Sequence, residues 1–150
     1  MTEIILIRHG IALKDFSTEN PALSEEGKAQ ARVLALKLRN HFDDDKTPII
    51  WASPAARAKE TAEIIKSELG LNDISFFDEL WSDLKHEHNL DWLLAKFKEH
   101  LQNPRPSPLI VVTHSEYVQL FPLMIGLPAT KVQNGEAIII HDFKSSSTLF

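Results

Sequence analysis

Short runs of consecutive apolar residues alternate in this chain with longer segments whose apolar residues recur every three or four positions. That alternation predicts strand and helix units building a mostly parallel sheet. Glu3 to Arg8 reads as the first strand. A helix follows from Ser24 to about His41, with Ala31, Leu34, Ala35 and Leu38 on its apolar face. Pro48 to Ala52 reads as a strand buried on both sides, since Ile49, Ile50 and Trp51 are consecutive. It runs into Ser53-Pro54, a helix-start pair, and the helix carries Ala58, Ala62, Ile65 and Leu69 to a left-handed cap at Gly70.

A shorter strand is expected at Ile74 to Phe77. The polar stretch Asp78 to Asn89 has no periodicity that fixes its conformation and is the natural place for a lid or specificity segment. Leu90 to Leu101 predicts a helix, Pro104, Pro106 and Pro108 an extended connector, and Leu109 to Thr113 the strongest strand. A helix from about Tyr117 to Ile125 stops at Gly126 and Pro128, and Ala137 to His141 is the last strand expected. The serines at 145 to 147 read as part of a frayed tail over 143–150. No linker or repeat divides the chain, so residues 1–150 are read as one domain.

Composition narrows the function classes. The 16 basic and 21 acidic residues leave a formal charge of -5, which disfavours a sequence-independent grip on nucleic acid. Cysteine is absent, which excludes disulfides, thiolate metal sites and a cysteine nucleophile. No run reaches the ~20 apolar residues that span a bilayer, and the short apolar stretch Ile4 to Ile7 is unlike a secretory leader. A cytoplasmic protein with no membrane partner is expected.

In an open parallel sheet, ligands bind beyond the carboxyl ends of the strands. Arg8-His9-Gly10, then Ser53-Pro54 with Arg57, then Thr113-His114-Ser115 fall at three such ends. Two guanidinium groups suited to phosphate oxygens therefore meet two imidazoles able to attack phosphorus when neutral. Blander readings are satisfied histidines at strand ends and surface ion pairs. His86-Glu87-His88 suggests zinc, but i,i+2 spacing on a helix separates the rings, and a solvated loop is preferred. Asp43 to Asp45 reads as a hydrated turn. Trp51, Trp81 and Trp92 read as core, with Trp81 a candidate for a substrate mouth, and His41 and His100 as complements to helix carboxyl ends.

Arg8-His9-Gly10 resembles the R-H-G signature of the histidine phosphatase superfamily, whose fold is that of phosphoglycerate mutase. Leu23-Ser24-Glu25-Glu26-Gly27 with Gln30-Ala31 is similar to its L-T-x-x-G-x-x-Q-A element. Ser53-Pro54-Ala55-Ala56-Arg57-Ala58 with Thr61-Ala62 resembles its S-P-x-x-R-A-x-x-T-A element. Val111-Val112-Thr113-His114 matches its second-histidine strand, and Asn134-Gly135-Glu136-Ala137 its closing turn. The set keeps its order from about residue 3 to 143.

The resemblance implies a single α/β domain, its mostly parallel sheet flanked by helices on both faces. It also implies a phosphatase that works through a phosphohistidine on His9. Arg8, Arg57 and His114 would bind the phosphoryl oxygens, with no metal and no cofactor. Arg8 and Arg57 are expected to hold His9 neutral. The proton donor departs from the pattern: Glu79 is the first candidate, with Asp83 and Glu116 behind it. The Asp78-Glu79-Leu80 arrangement and small size look most like short bacterial phosphohistidine phosphatases, which gives a phosphorylated protein as partner. A small-molecule phosphomonoesterase of sugar-phosphate type, or a phosphate- or phosphopeptide-binding module without turnover, are the alternatives.

Overall fold

A computed structural model describes residues 2–43, 45–81 and 86–149, the side chains of residues 86–88 excepted. Asp83, Asp44 and the His86-Glu87-His88 side chains therefore lie outside the described residues. The elements are β1 (Glu3–Arg8), α1 (Glu25–His41), β2 (Ile49–Ala52), α2 (Ala56–Leu69), β3 (Ser75–Phe76), α3 (His86–Leu101), β4 (Leu109–Thr113), α4 (Ser115–Met124), β5 (Ala137–His141) and β6 (Ser145–Thr148). A single 3₁₀ turn, Asp78–Leu80, precedes α3.

The six strands form one sheet in the order β3-β2-β4-β1-β5-β6. The first four run parallel, and β5 and β6 are added antiparallel at one edge. Alternation along β1 divides its side chains between two cores. Ile4 and Leu6 join Leu109, Val111, Phe97, Tyr117 and Phe121 on the face covered by α3 and α4. Ile5 and Ile7 join Ile110, Val112, Leu34, Leu38 and Ile65 on the face covered by α1 and α2. Burying such side chains is worth ~1.5–3 kcal/mol each, so the central apolar runs sit where helices cover both faces.

Several boundaries follow from groups that periodicity does not show. Helix α1 starts as expected, with Ser24 Oγ accepting from Gly27 N at 3.0 Å. Gly70 caps α2 at φ 67. Helix α2 begins at Ala56 rather than at Ser53-Pro54, and Ala55, its N-cap, supplies no side-chain bond. Helix α3 starts one turn before Leu90 because its first turn is polar, and α4 starts at Ser115, immediately after His114. Strand β3 is only two residues long.

The expected frayed tail is instead strand β6. Asp142 and Phe143 both take positive φ (49 and 61), the signs found at the centre of a type I′ turn, and Lys144 N donates to His141 O at 2.9 Å. Ser145 to Thr148 then pair with His141 to Ile138. A ladder is built from backbone groups, so a run of serines joins an edge strand without an apolar signature. No helix among the described residues is long and apolar enough to cross a membrane.

Candidate active site

Strand register brings the three motif ends together. Arg8 lies opposite Thr113 in the β1–β4 ladder, and Ala52 opposite Val112 in the β2–β4 ladder. The chain leaves all three strands at one level: His9 N donates to Thr113 O at 3.1 Å, and Ser53 N to Val112 O at 2.9 Å. His9, Ser53, Arg57 and His114 are then neighbours by construction. The imidazoles of His9 and His114 meet edge-on, centroids 5.2 Å apart with planes at 69°.

Two contacts fix the His9 ring. Its Nδ1 lies 2.7 Å from Gly10 O, a carbonyl that can only accept, so Nδ1 carries the proton. Its Nε2 receives Arg57 Nε–H at 3.2 Å and therefore carries the lone pair. The two observations require the same tautomer. Two guanidinium nitrogens, Arg8 Nε and Arg57 Nη1, are buried without a hydrogen-bond partner among the described residues. A buried N–H of this kind costs ~1–3 kcal/mol or more, and a tetrahedral oxyanion would supply the missing acceptors.

The surrounding backbone is tied from several sides. Gly135, at φ 75, donates its N–H to Arg8 O (3.0 Å) and His9 O (3.1 Å), and Asn134 Nδ2 donates to His9 O at 3.2 Å. Arg8 Nη1 donates to Val132 O at 3.0 Å. Thr61 Oγ1 accepts from Gly10 N at 3.2 Å and donates to Arg57 O at 2.8 Å, so one hydroxyl links the loop after His9 to the helix of Arg57. Gln30 Oε1 accepts from Ile11 N at 2.9 Å.

The model of the histidine phosphatase superfamily (branch 1) matches residues 4–82, more than half of the chain. This chain belongs to the histidine phosphatase superfamily. It is thereby a hydrolase of the phosphatase class. No curated protein matches it. Among solved structures it is similar to a protein histidine phosphatase, SixA, complexed with tungstate: 18% identity, TM-score 0.78, 98% of this chain and 94% of that one. It is also similar to a phosphoglycerate mutase from Plasmodium falciparum: 21% identity, TM-score 0.71, 98% and 87% of the two chains. A third is a phosphoserine phosphatase from Entamoeba histolytica, in complex with 3-phosphoglyceric acid: 17% identity, TM-score 0.68, 99% and 95%. At these identities the likeness shows the fold.

In this histidine phosphatase both imidazoles are held neutral at pH 7. His9 is 9% exposed and its pKa is lowered to about 4, chiefly by burial; the Gly10 carbonyl opposes this, and Arg57 and then Arg8 add smaller decreases. The expectation that the arginines do this is thus corrected to a secondary part, because loss of solvent outweighs charges whose field water still screens. His114, 3% exposed, is lowered to about 3, first by burial and then by His9 and the two arginines.

The acid candidates separate by location. Glu79 lies in the 3₁₀ turn, its carbonyl accepting from Tyr117 Oη at 2.9 Å. Glu116, half-buried in the first turn of α4, is near enough that its charge partly opposes the lowering that burial imposes on both His9 and Arg57. Among the described residues no cluster of three or more His, Asp or Glu could hold a metal ion. His41 pairs with Glu3 at 2.8 Å, and His100 lies 2.7 Å from Ser107 O. Thr61, Gln30 and Asn134 appear in the motifs, but their support of the loop shows only in three dimensions. The signal that marks them is recurrence in those motifs.

Proposed function

We propose that this protein is a metal-independent phosphatase that carries the phosphoryl group on His9 and acts on phosphohistidine in proteins. The observation that carries the reading is the pair of buried, unpartnered guanidinium N–H groups beside an imidazole whose Nε2 keeps its lone pair. In the first step that lone pair forms a bond to phosphorus, and the bond from phosphorus to the leaving group breaks, its electrons going with the leaving group. Arg8, Arg57 and His114 hold the phosphoryl oxygens. The Gly10 carbonyl, already bonded to Nδ1–H, stabilises the positive ring that results. In the second step water attacks phosphorus, the P–N bond breaks and its electrons return to Nε2, and the water's second proton passes to a phosphoryl oxygen, so that inorganic phosphate departs with both protons. Most of the acceleration in such a transfer comes from positioning and charge stabilisation, and one lost donor costs ~10²–10³ in rate.

The substrate class rests on leaving-group chemistry. An imidazole already protonated on its second nitrogen departs neutral, so a phosphoramidate asks less of a general acid than an alkoxide does. The likeness in fold and length to the protein histidine phosphatase supports the same class. A second reading, a small phosphomonoester, is supported by Glu116, an acid in the first turn of α4 whose charge acts on both His9 and Arg57. The reading places the enzyme in the cytoplasm.

The test is a kcat/KM panel, in chelator, of phosphohistidine protein against aryl and alkyl phosphates, with rapid-quench trapping of label on His9. A preference for the nitrogen-linked substrate, and loss of turnover with retained phosphate binding in His9→Ala, are expected. An ester-biased panel selects the second reading. A wild-type protein that binds phosphate without turnover makes the chain a binding module and overturns both.

A further inference from the structure

His114 has one of its two ring nitrogens already committed. Nε2 lies 3.0 Å from Ser53 Oγ, and both residues are buried, Ser53 completely. Ser53 lies three residues before α2, which begins at Ala56, and is not its N-cap. Its backbone N–H is fixed to Val112 O, and its Oγ accepts Ala55 N–H at 3.2 Å. The hydroxyl thus sits in a rigid corner between β2 and α2 and is supplied with one donor from the backbone.

A neutral imidazole carries its proton on one nitrogen only, and which one decides whether it donates to substrate or accepts from it. Burial and cationic neighbours keep His114 neutral. Ser53 Oγ accepts from Ala55 N–H, which leaves its own proton free to point at Nε2. If Nε2 accepts that proton, Nδ1 must carry the ring's N–H, and Nδ1 is the nitrogen left to meet a phosphoryl oxygen.

We propose that Ser53 is a positioning residue that sets the tautomer of His114, donating its hydroxyl proton to Nε2 so that Nδ1–H is presented to the phosphoryl oxygens. The inference rests on the proposed role of His114 and adds the residue that orients it. With an alanine at 53, nothing opposes the other tautomer, which turns a lone pair toward an oxygen of the same sign. The loss would fall on the step in which negative charge on those oxygens is greatest, so kcat falls while KM changes little.

The experiment combines a spectroscopic and a kinetic arm. Long-range ¹H–¹⁵N correlation spectra of histidine-labelled protein at pH 7 report the tautomer, with the His114 signals assigned from their loss in His114→Gln. The wild type is expected to show protonated Nδ1 and bare Nε2, and Ser53→Ala to gain the opposite form. Ser53→Ala is expected to lower kcat at least ~10-fold, and to cost no further activity when combined with His114→Gln. A merely structural serine would leave the tautomer unchanged and give additive losses. Should Ser53→Ala fail to fold, the wild-type spectrum still decides. A proton on Nε2 of wild-type His114 overturns the inference whatever the kinetics. Absence of phosphatase turnover with the expected tautomer overturns the function alone.

Discussion

Replacing Gly27 by alanine sets two effects of opposite sign against each other. Gly27 lies in the first turn of α1, where alanine is favoured over glycine by ~1 kcal/mol, and propensity alone predicts a more stable protein. A Cβ at this position would stand 2.1 Å from Ile11 O and 2.9 Å from Ile11 N. Ordinary contact begins more than an ångström farther out, so the loop after His9 must retreat by about 1 Å. That carbonyl accepts both Ser24 N (2.9 Å) and Ser24 Oγ (2.9 Å), and Gly10 also packs against Gly27, a Cβ there falling 2.5 Å from Gly27 O. Overpacking typically costs ~1–3 kcal/mol and each lost hydrogen bond ~1 kcal/mol, which outweighs the helix gain. A net loss of about 2–4 kcal/mol is expected, seen as a fall in Tm of roughly 5–15 °C for a chain of this size. Displacing the nucleophile's loop by that distance should also lower kcat ~10²-fold.

Thermal unfolding followed by circular dichroism, with kcat measured at 25 °C, checks both figures. Gly70→Ala is the control. Nothing lies within 4 Å of a Cβ there, but φ is 67, so a strain of ~1 kcal/mol and an unchanged kcat are expected. A Gly27→Ala protein as stable and as active as wild type would show that the loop after His9 is not held by α1, and the reasoning would be wrong.

Thr61→Val should leave Gly10 N–H buried without its acceptor, destabilising by ~1–3 kcal/mol in urea titration and slowing turnover, because Gly10 O anchors His9 Nδ1. Arg57→Lys keeps the charge but loses the fork, and kcat/KM should fall ~10²–10³-fold. Acid should destabilise the fold: His9 and His114 titrate near 4 and 3 when folded against 6.5 when unfolded, so below about pH 6.5 the unfolded chain takes up protons that the folded one refuses. Stability then falls with pH from about 6.5 down to the folded values. Between pH 7 and 4.5 the urea-derived loss should be smaller in His9→Gln than in wild type by roughly 2–3 kcal/mol. Glu116→Gln should slow alkyl phosphates at least ~10-fold and phosphohistidine little, measured as kcat/KM.

The parts of the fold legible in the sequence are those whose signal is a side chain facing a core or closing a helix. Ile4 to Ile7 and Leu109 to Thr113 read as strands because both of their faces are covered. Ser24 and Gly70 marked their helix ends because a hydroxyl and a positive φ do that work locally. Strand β6 was hidden because its ladder is made by backbone groups, which leave no apolar signature in a run of serines. Ser53 reads as part of a helix start at a strand end, but the bond of its hydroxyl to His114, 61 residues away, leaves no local signal. The site residues were visible as motif positions at strand ends, whereas Gln30, Thr61 and Asn134 act on backbone groups and leave no trace in periodicity.

That contrast bears on how the proposed nucleophile is made. Nothing in the His9 side chain alone makes it reactive; its lone pair is aimed by a carbonyl one residue on and by a guanidinium 48 residues on. Those two partners are themselves joined through Thr61, and the loop that carries the first, Gly10, is clasped between α1 and the turn at Gly135. The order of dependence therefore runs from glycine contacts and hydroxyls, through loop backbone, to the ring nitrogen. Substitutions in that outer layer should change kcat before they change phosphate affinity, since the guanidinium donors that bind the anion stay in place while the attacking atom drifts out of line.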